Sequence, residues 1–367
     1  MFASFGRFLK AAHPWQMCRD VFIVFMLMLF TGCSMIDDDL SDCGANVRLD
    51  YDLHLVTNLT IELQAELDKR NDAALIKALR DYLSPIFTDY ARDIDLSFYD
   101  IQGDSARLHH EQHQMDANEM SYTLYLPRRH YMHTAVANVS GNRESELIGD
   151  NHCHAASLSQ SKGDSVGTHR TGLFTARQMM RISETGDQSF FVHLYMANCA
   201  AALVLDVSEA DLSDVKVVAT GFASHFRVAD STYVFDQTPQ IVKADKVATG
   251  NSRQLCFCTV NFPSRELGTR AVAPSNSMST RSIIETEEPF VSESAEEGIW
   301  ELRVYTTLTD GKVTENRLWV KKPLFAGQFK IFHARVYKNG ALEPDEPEVG
   351  VSVTLDWKPG NTYEPVI

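Results

Sequence analysis

From residue 47 onward the chain alternates. Val47, Leu49, Tyr51, Leu53 and Leu55 are apolar, while Arg48, Asp50, Asp52 and His54 between them are polar or charged. Successive side chains of a strand point to opposite faces, so a period of two predicts a strand with one face in a core. The signal recurs at short spacing in Ile94-Leu96-Phe98, Tyr122-Leu124-Leu126 and Tyr131 to Val139, each closed by Gly, Pro, Asn or Asp. Short strands punctuated in this way predict a β-sandwich. One stretch has a different period: between Leu63 and Leu83, the residues Leu75, Leu79 and Tyr82 fall on one helical face before Ser84-Pro85 stops it. This predicts one short amphipathic helix laid against a sheet.

After a polar, Gly/Ser-rich excursion from Gly141 to Thr171, a second series of strand signals runs from Phe190 to Val351-Val353-Leu355-Trp357, whose alternation puts those four side chains on one core-facing side. Two successive all-β sandwiches are therefore expected, over residues 47–187 and 188–367. The segment 268–298 is poor in apolar residues and rich in Ser, Thr and Glu, and it carries Arg270 and Arg281. It reads as a flexible surface insertion in the second sandwich.

The N-terminal residues follow another logic. Arg7, Lys10 and Arg19 precede the unbroken apolar run Val21 to Phe30, and Thr31-Gly32 leads into Cys33. The run is too short to span a bilayer, which takes about 20 residues, so residues 1–32 read as a secretory signal peptide. Leu29-Phe30-Thr31-Gly32-Cys33 resembles the lipobox of bacterial lipoproteins, in which the cysteine is acylated, with palmitate among the chains, and begins the mature protein. Residues 33–46 would then form a lipidated tether. Its acidic run, Asp37-Asp38-Asp39-Leu40-Ser41-Asp42, resembles the signal that sends Bacteroidales lipoproteins to the outer face of the outer membrane.

Charge and motifs narrow the function. Lys+Arg 34 against Asp+Glu 49 gives a net charge of -15, which repels a phosphate backbone and argues against nucleic acid as a partner. No phosphate-binding glycine loop, G-x-S-x-G elbow or H-E-x-x-H motif occurs, so the sequence gives no positive support for an enzyme. His109, His110, His113, His152, His154 and His169 cluster, but their spacing matches no metal signature; they read as loop histidines, and neither metal nor cofactor is expected. Apart from Cys18 in the signal and Cys33, five cysteines remain: Cys43, Cys153, Cys199, Cys256 and Cys258. An exported compartment permits disulfides among them, with at least one thiol left over and the pairing open. Cys256 and Cys258 share one face of a strand, a poor geometry for bonding each other. Trp300, Trp319 and Trp357 could form a sugar-stacking platform if exposed, but within alternating strands they read as core.

Taken in order, several short segments resemble the lipoproteins that anchor the type V fimbriae of Bacteroidales. They are Cys33 with Ile36-Asp37-Asp38-Asp39-Leu40-Ser41-Asp42-Cys43-Gly44; the following strand, Asn58 and helix; Leu126-Pro127 and Tyr131 to Asn138; Gly172-Leu173-Phe174-Thr175-Ala176; and Val349 to Gly360. Arg129 stands where that family tends to carry a turn glycine, and Val136-Ala137 where it tends to carry Trp-Gly. The resemblance implies two tandem transthyretin-like β-sandwiches, no catalysis, and a lipid-anchored surface protein at the membrane end of a fimbria. Its implied partners are outer-membrane lipid, through acylated Cys33, and fimbrial stalk or other subunits, by β-strand addition at a sheet edge. The second reading is a surface glycan-binding lipoprotein.

Overall fold

In the computed structural model, the described residues are 46–56, 64–66, 69, 72–87, 90–115, 121–161, 163, 165–182, 188–236, 240–264 and 299–355, with the backbone of 283–286. The signal segment, Cys33, Cys43, Trp357 and the rest of 268–298 lie outside them.

In chain order the first elements are β1 (Val47–Val56), α1 (Ala73–Leu83), β2 (Asp93–Asp100), β3 (Arg107–Gln114), β4 (Ser121–Leu126) and β5 (His130–Ala137). Next come β6 (Ser145–Ile148), β7 (Ser157–Gln160), β8 (Val166–Gly167), β9 (Phe174–Arg181) and β10 (Gln188–Met196). The chain continues with β11 (Cys199–Asp206), β12 (Leu212–Thr220), β13 (His225–Arg227), β14 (Thr232–Phe235), β15 (Val242–Lys243), β16 (Asp245–Val247) and β17 (Gln254–Asn261). It closes with β18 (Ile283–Thr286), β19 (Trp300–Leu308), β20 (Val313–Val320), β21 (Phe329–Val336), β22 (Leu342–Pro344) and β23 (Val349–Thr354).

These strands form four sheets: sheet I, β3-β2-β5-β9-β10-β1-β4; sheet II, β16-β17-β11-β21-β22; sheet III, β23-β20-β19-β12-β15-β8; and sheet IV, β18-β14-β13-β7-β6. The fold is all-β with a short helix, as the alternation predicts. In sheet I, β1 lies between β10, which it pairs in parallel from Leu49 to Val56, and β4, which it pairs antiparallel from Val47 to Asp52. The strand after residue 187 therefore completes the sheet that β1 begins.

Two large cores stack on opposite faces of sheet II. One joins Leu49, Tyr51 and Leu53 of β1 to Leu75, Leu79 and Leu83 of α1 and to Ala200, Ala202 and Val204 of β11. The other joins Ala201, Leu203 and Leu205 of β11 to Trp300, Leu302 and Val304 of β19. Strand β11 is thus apolar from Cys199 to Leu205, where both of its faces are buried. Each large side chain removed from water contributes about 1.5–3 kcal/mol, so a run buried on both faces holds three layers together. Helix α1 starts where Asp72 accepts a hydrogen bond from the Leu75 N–H at 3.0 Å, satisfying an otherwise orphaned donor. The same face reaches sheet II, where the Tyr82 hydroxyl donates to Asp245 at 2.8 Å.

A glycine fixes the join between β12 and β19. Gly221 has φ +94°, and a Cβ there would sit 2.8 Å from the Trp300 Cα. Gly311 has φ +87° with open space around it. Both Gly→Ala substitutions incur the left-handed backbone cost of about 1–2 kcal/mol, and only Gly221→Ala adds the clash. Urea unfolding is expected to find Gly221→Ala less stable than Gly311→Ala by at least about 1 kcal/mol; equal losses would refute the clash.

Three features depart from the sequence reading. The polar run Arg107–Gln114 is a strand, not a loop, so His109, His110 and His113 lie on β3. Within 268–298, Ile283–Thr286 pairs in parallel with Thr232–Phe235. The final strand does not turn its alternating residues into the core: Val349 is buried, but Val351, Val353 and Leu355 are 37%, 38% and 54% exposed. The reason is position. Strand β23 is the edge of sheet III, with β20 as its neighbour, and among the described residues the three-residue β22 that ends sheet II stops short of its second half.

Candidate docking edges

An edge strand presents unpaired N–H and C=O groups, and what decides whether it can take another strand is how it is covered. Strand β23 pairs Val351 with Leu318 and Val353 with Asn316 of β20. Leu318 and Asn316 are buried, so Val351, Val353 and Leu355 extend the apolar side of the core outward along what is, among the described residues, a sheet edge. Beneath, Asn316 braces the sheet: its Nδ2 donates to the Gly340 carbonyl at 2.9 Å and its Oδ1 accepts from the Leu342 N–H at 2.9 Å. The edge is therefore apolar and rigidly backed. An incoming extended segment could continue the ladder while its alternate side chains cover the stripe.

The edges of sheet I are different. Strand β3 directs His109, Glu111 and His113 to the core-side face, opposite Phe98, Leu96 and Ile94. Glu111 accepts from His109 Nε2 at 2.6 Å and from His113 Nε2 at 2.8 Å. Burial raises the Glu111 pKa, but the hydrogen bonds from the two imidazoles outweigh it and leave the carboxyl below its ordinary value. The His113 ring lies 4.8 Å from Tyr122 of β4. The two edge strands of sheet I thus meet through their side chains, and the sheet curls nearly closed.

Deeper in that curl are histidines held neutral. His133 Nδ1 donates to the Ser97 carbonyl at 3.1 Å, so its Nε2 accepts from the Tyr51 hydroxyl. Burial pushes the His133 pKa down to about 3, against the opposing effect of the Ser97 hydrogen bond. In the loop before β9, His169 Nδ1 accepts from the Asn198 amide at 2.6 Å, and burial likewise lowers its pKa to about 3.

A third histidine group forms a polar brace. Asp95 accepts from His110 Nε2 at 2.7 Å and from Gln112 Nε2 at 2.8 Å, while nearby Asp150 pairs with Arg107. Asp95, His110 and Asp150 have ligand atoms within 4.8 Å of one another, and these hydrogen bonds and the Arg107 ion pair tie the three into one polar cluster. His152 and His154 are exposed on either side of buried Cys153. Among the described residues, Cys153, Cys199, Cys256 and Cys258 are free, buried thiols. Burial pushes Cys256 up to about 12 and Cys199 higher still, which makes them inert. Of the tryptophans, Trp300 is buried and donates to the Lys322 carbonyl at 3.0 Å, and half-buried Trp319 donates to Glu301 at 3.1 Å. Trp300, being buried, offers no open ring face of the kind that stacks on a sugar.

The sequence reading missed β3 because its inward positions hold a His-Glu-His triplet in place of aliphatic residues. The visible signal was the spacing of that triplet at every second residue.

No family model matches the sequence, and no curated protein matches it. Among solved structures, the chain is similar to a candidate adhesin from Bacteroides ovatus, at 12% identity and a TM-score of 0.48, covering 78% of this chain and 86% of that one. It is similar also to candidate polysaccharide-binding proteins from Bacteroides thetaiotaomicron, at 8% identity and a TM-score of 0.45, covering 82% and 99%. A third is the fimbrial anchor protein Mfa2 from Porphyromonas gingivalis, at 9% identity and a TM-score of 0.43, covering 85% and 99%.

Proposed function

We propose that this chain is a non-enzymatic lipoprotein of the outer membrane that holds a fimbria to the cell surface. Acylated Cys33 is its membrane contact, and an uncovered sheet edge receives a segment of a fimbrial stalk or other fimbrial subunit by strand addition. One observation carries the reading: the same chain pairs an acylation-type cysteine, fourteen positions before β1, with an apolar edge strand near its other end. The ordered segments from Cys33 to Gly360 that resemble the type V fimbrial anchors supply the identity of the partner. The physics is sufficient for the task. Each buried methylene of an acyl chain adds about 0.8 kcal/mol of membrane affinity, so several chains retain the protein without a spanning segment. Strand addition then makes a joint from main-chain hydrogen bonds and apolar burial, with no chemical step.

The experiment is the Cys33→Ala strain, with fimbriae counted on cells and in the medium. Fimbriae that assemble but are shed support the reading, and unchanged cell-bound fimbriae refute it. Mass spectrometry of the mature N-terminus is expected to find acylated Cys33 as the first residue; an unmodified terminus would remove the membrane contact.

A further inference from the structure

One end of sheet I has a character that the protein's net charge of -15 does not suggest. Strands β4 and β5 are not neighbours, so the short connection Pro127 to Arg129 crosses the end of the curled sheet. There the Arg129 carbonyl accepts from the Ile182 N–H at 2.9 Å, just past the end of β9. This crossing carries two exposed arginines, Arg128 and Arg129, and it runs beside exposed Arg181, which is in register with His130. Arg129 faces Asp100 at 3.8 Å. Arg128 and Arg181 make no ion pair among the described residues. Tyr125, 56% exposed, lies near the end of β4, three residues before Arg128. Leu126 pairs with Val47, so this is also the end at which the chain enters the fold from Cys33.

We propose that this end of sheet I is a membrane-facing surface, on which Arg128 and Arg181 contact lipid phosphates and Tyr125 lies at the headgroup level. The inference rests on the reading of Cys33 as the acylated residue. Two observations commit it to a membrane. Fourteen residues at about 3.4 Å each reach at most on the order of 50 Å, so an acylated Cys33 keeps this end, where β1 begins, near the bilayer. The charge is complementary: the chain as a whole is repelled by an anionic surface, whereas Arg128 and Arg181, which make no ion pair among the described residues, together with an exposed tyrosine match the composition of an interfacial contact. The consequence is orientation. A lipid alone leaves the domains free to swivel, while a second contact at the tether's root fixes which way the docking edge points.

The test uses the mature chain from residue 33 with Cys33→Ala, so that no acyl group contributes. The probes are vesicles of phosphatidylethanolamine alone and with about a third phosphatidylglycerol, in low salt. The protein is expected to sediment with the anionic vesicles and not with the neutral ones, and to be released by 0.5 M salt within about a Debye length's screening. Arg128→Ser and Arg181→Ser should each weaken binding about fivefold. Lys216→Ser and Lys338→Ser, elsewhere on the surface, should leave it unchanged. Equal sedimentation with both vesicle types, or binding insensitive to Arg128→Ser and Arg181→Ser, overturns the proposal. Because the assay lacks the acyl group, that failure would leave acylation of Cys33 standing, and an unmodified terminus in the cell-derived protein would be read separately.

Discussion

Between pH 7 and pH 5 the folded state is expected to lose about 4 kcal/mol of stability, about 2 from each of His133 and His169. Both are buried with their pKa lowered to about 3, whereas in the unfolded chain they titrate near the ordinary value of 6.5. The unfolded state therefore binds more protons over the interval from about 6.5 to 3, and stability falls as the pH drops through it. Glu111 acts in a lower window. Its depressed pKa contributes stability above the unfolded value of 4.5 that is lost only as the pH falls through the folded value. Urea midpoints at pH 7 and pH 5 measure the effect. Replacing either histidine with glutamine should lower stability at pH 7 and roughly halve the loss between the two values; a flat profile would mean that these imidazoles are not held neutral.

Lysines at Val353 and Leu355 are expected to leave the fold intact while reducing cell-bound fimbriae at least tenfold. Val353 is 38% exposed on the edge strand and Leu355, just past its end, is 54% exposed, so their replacement costs about 1 kcal/mol of stability or less. In a strand-addition joint the same stripe is covered by the partner, and each charge placed there must be desolvated at a cost well above 1.4 kcal/mol, a factor of ten. Val349→Lys serves as the contrast. Val349 is buried in the second core, so its substitution should destabilise the protein itself and lower its amount on the cell. If Val353→Lys with Leu355→Lys keeps both the protein and its fimbriae on the cell, β23 is not the docking edge.

How far the sequence speaks depends on what fills each inward position. Val47 to Leu55, with polar or charged neighbours, is legible because one face is core and the other solvent. Leu75, Leu79 and Leu83 are legible for the same reason at a helical period. Where both faces are buried, as in Ala200 to Leu205, apolarity shows but the layer it belongs to does not. Strand β3 is hidden because His109, Glu111 and His113 satisfy one another at inward positions that usually hold aliphatic residues. The pattern of β23 is legible and its environment is not: alternation fixes that Val351, Val353 and Leu355 share a face, but only the reach of sheet II determines that the face is left uncovered. Arg181 is distant in sequence from Arg128 and Arg129, and their meeting depends on the pairing of β9 with β5.

The placement of β1 bears on mechanics. A load applied at residue 46 pulls β1 along its own axis, out of the space between β10 and β4. Hydrogen bonds to β10 over Leu49 to Val56 and to β4 over Val47 to Asp52 then resist together, in shear, and must fail nearly at once. Were β1 an edge strand pulled sideways, the same bonds would open one by one at a far smaller force. The first of the described strands, interior in its sheet, thus spreads a pull over two ladders at once, at the end where a tether would transmit the drag.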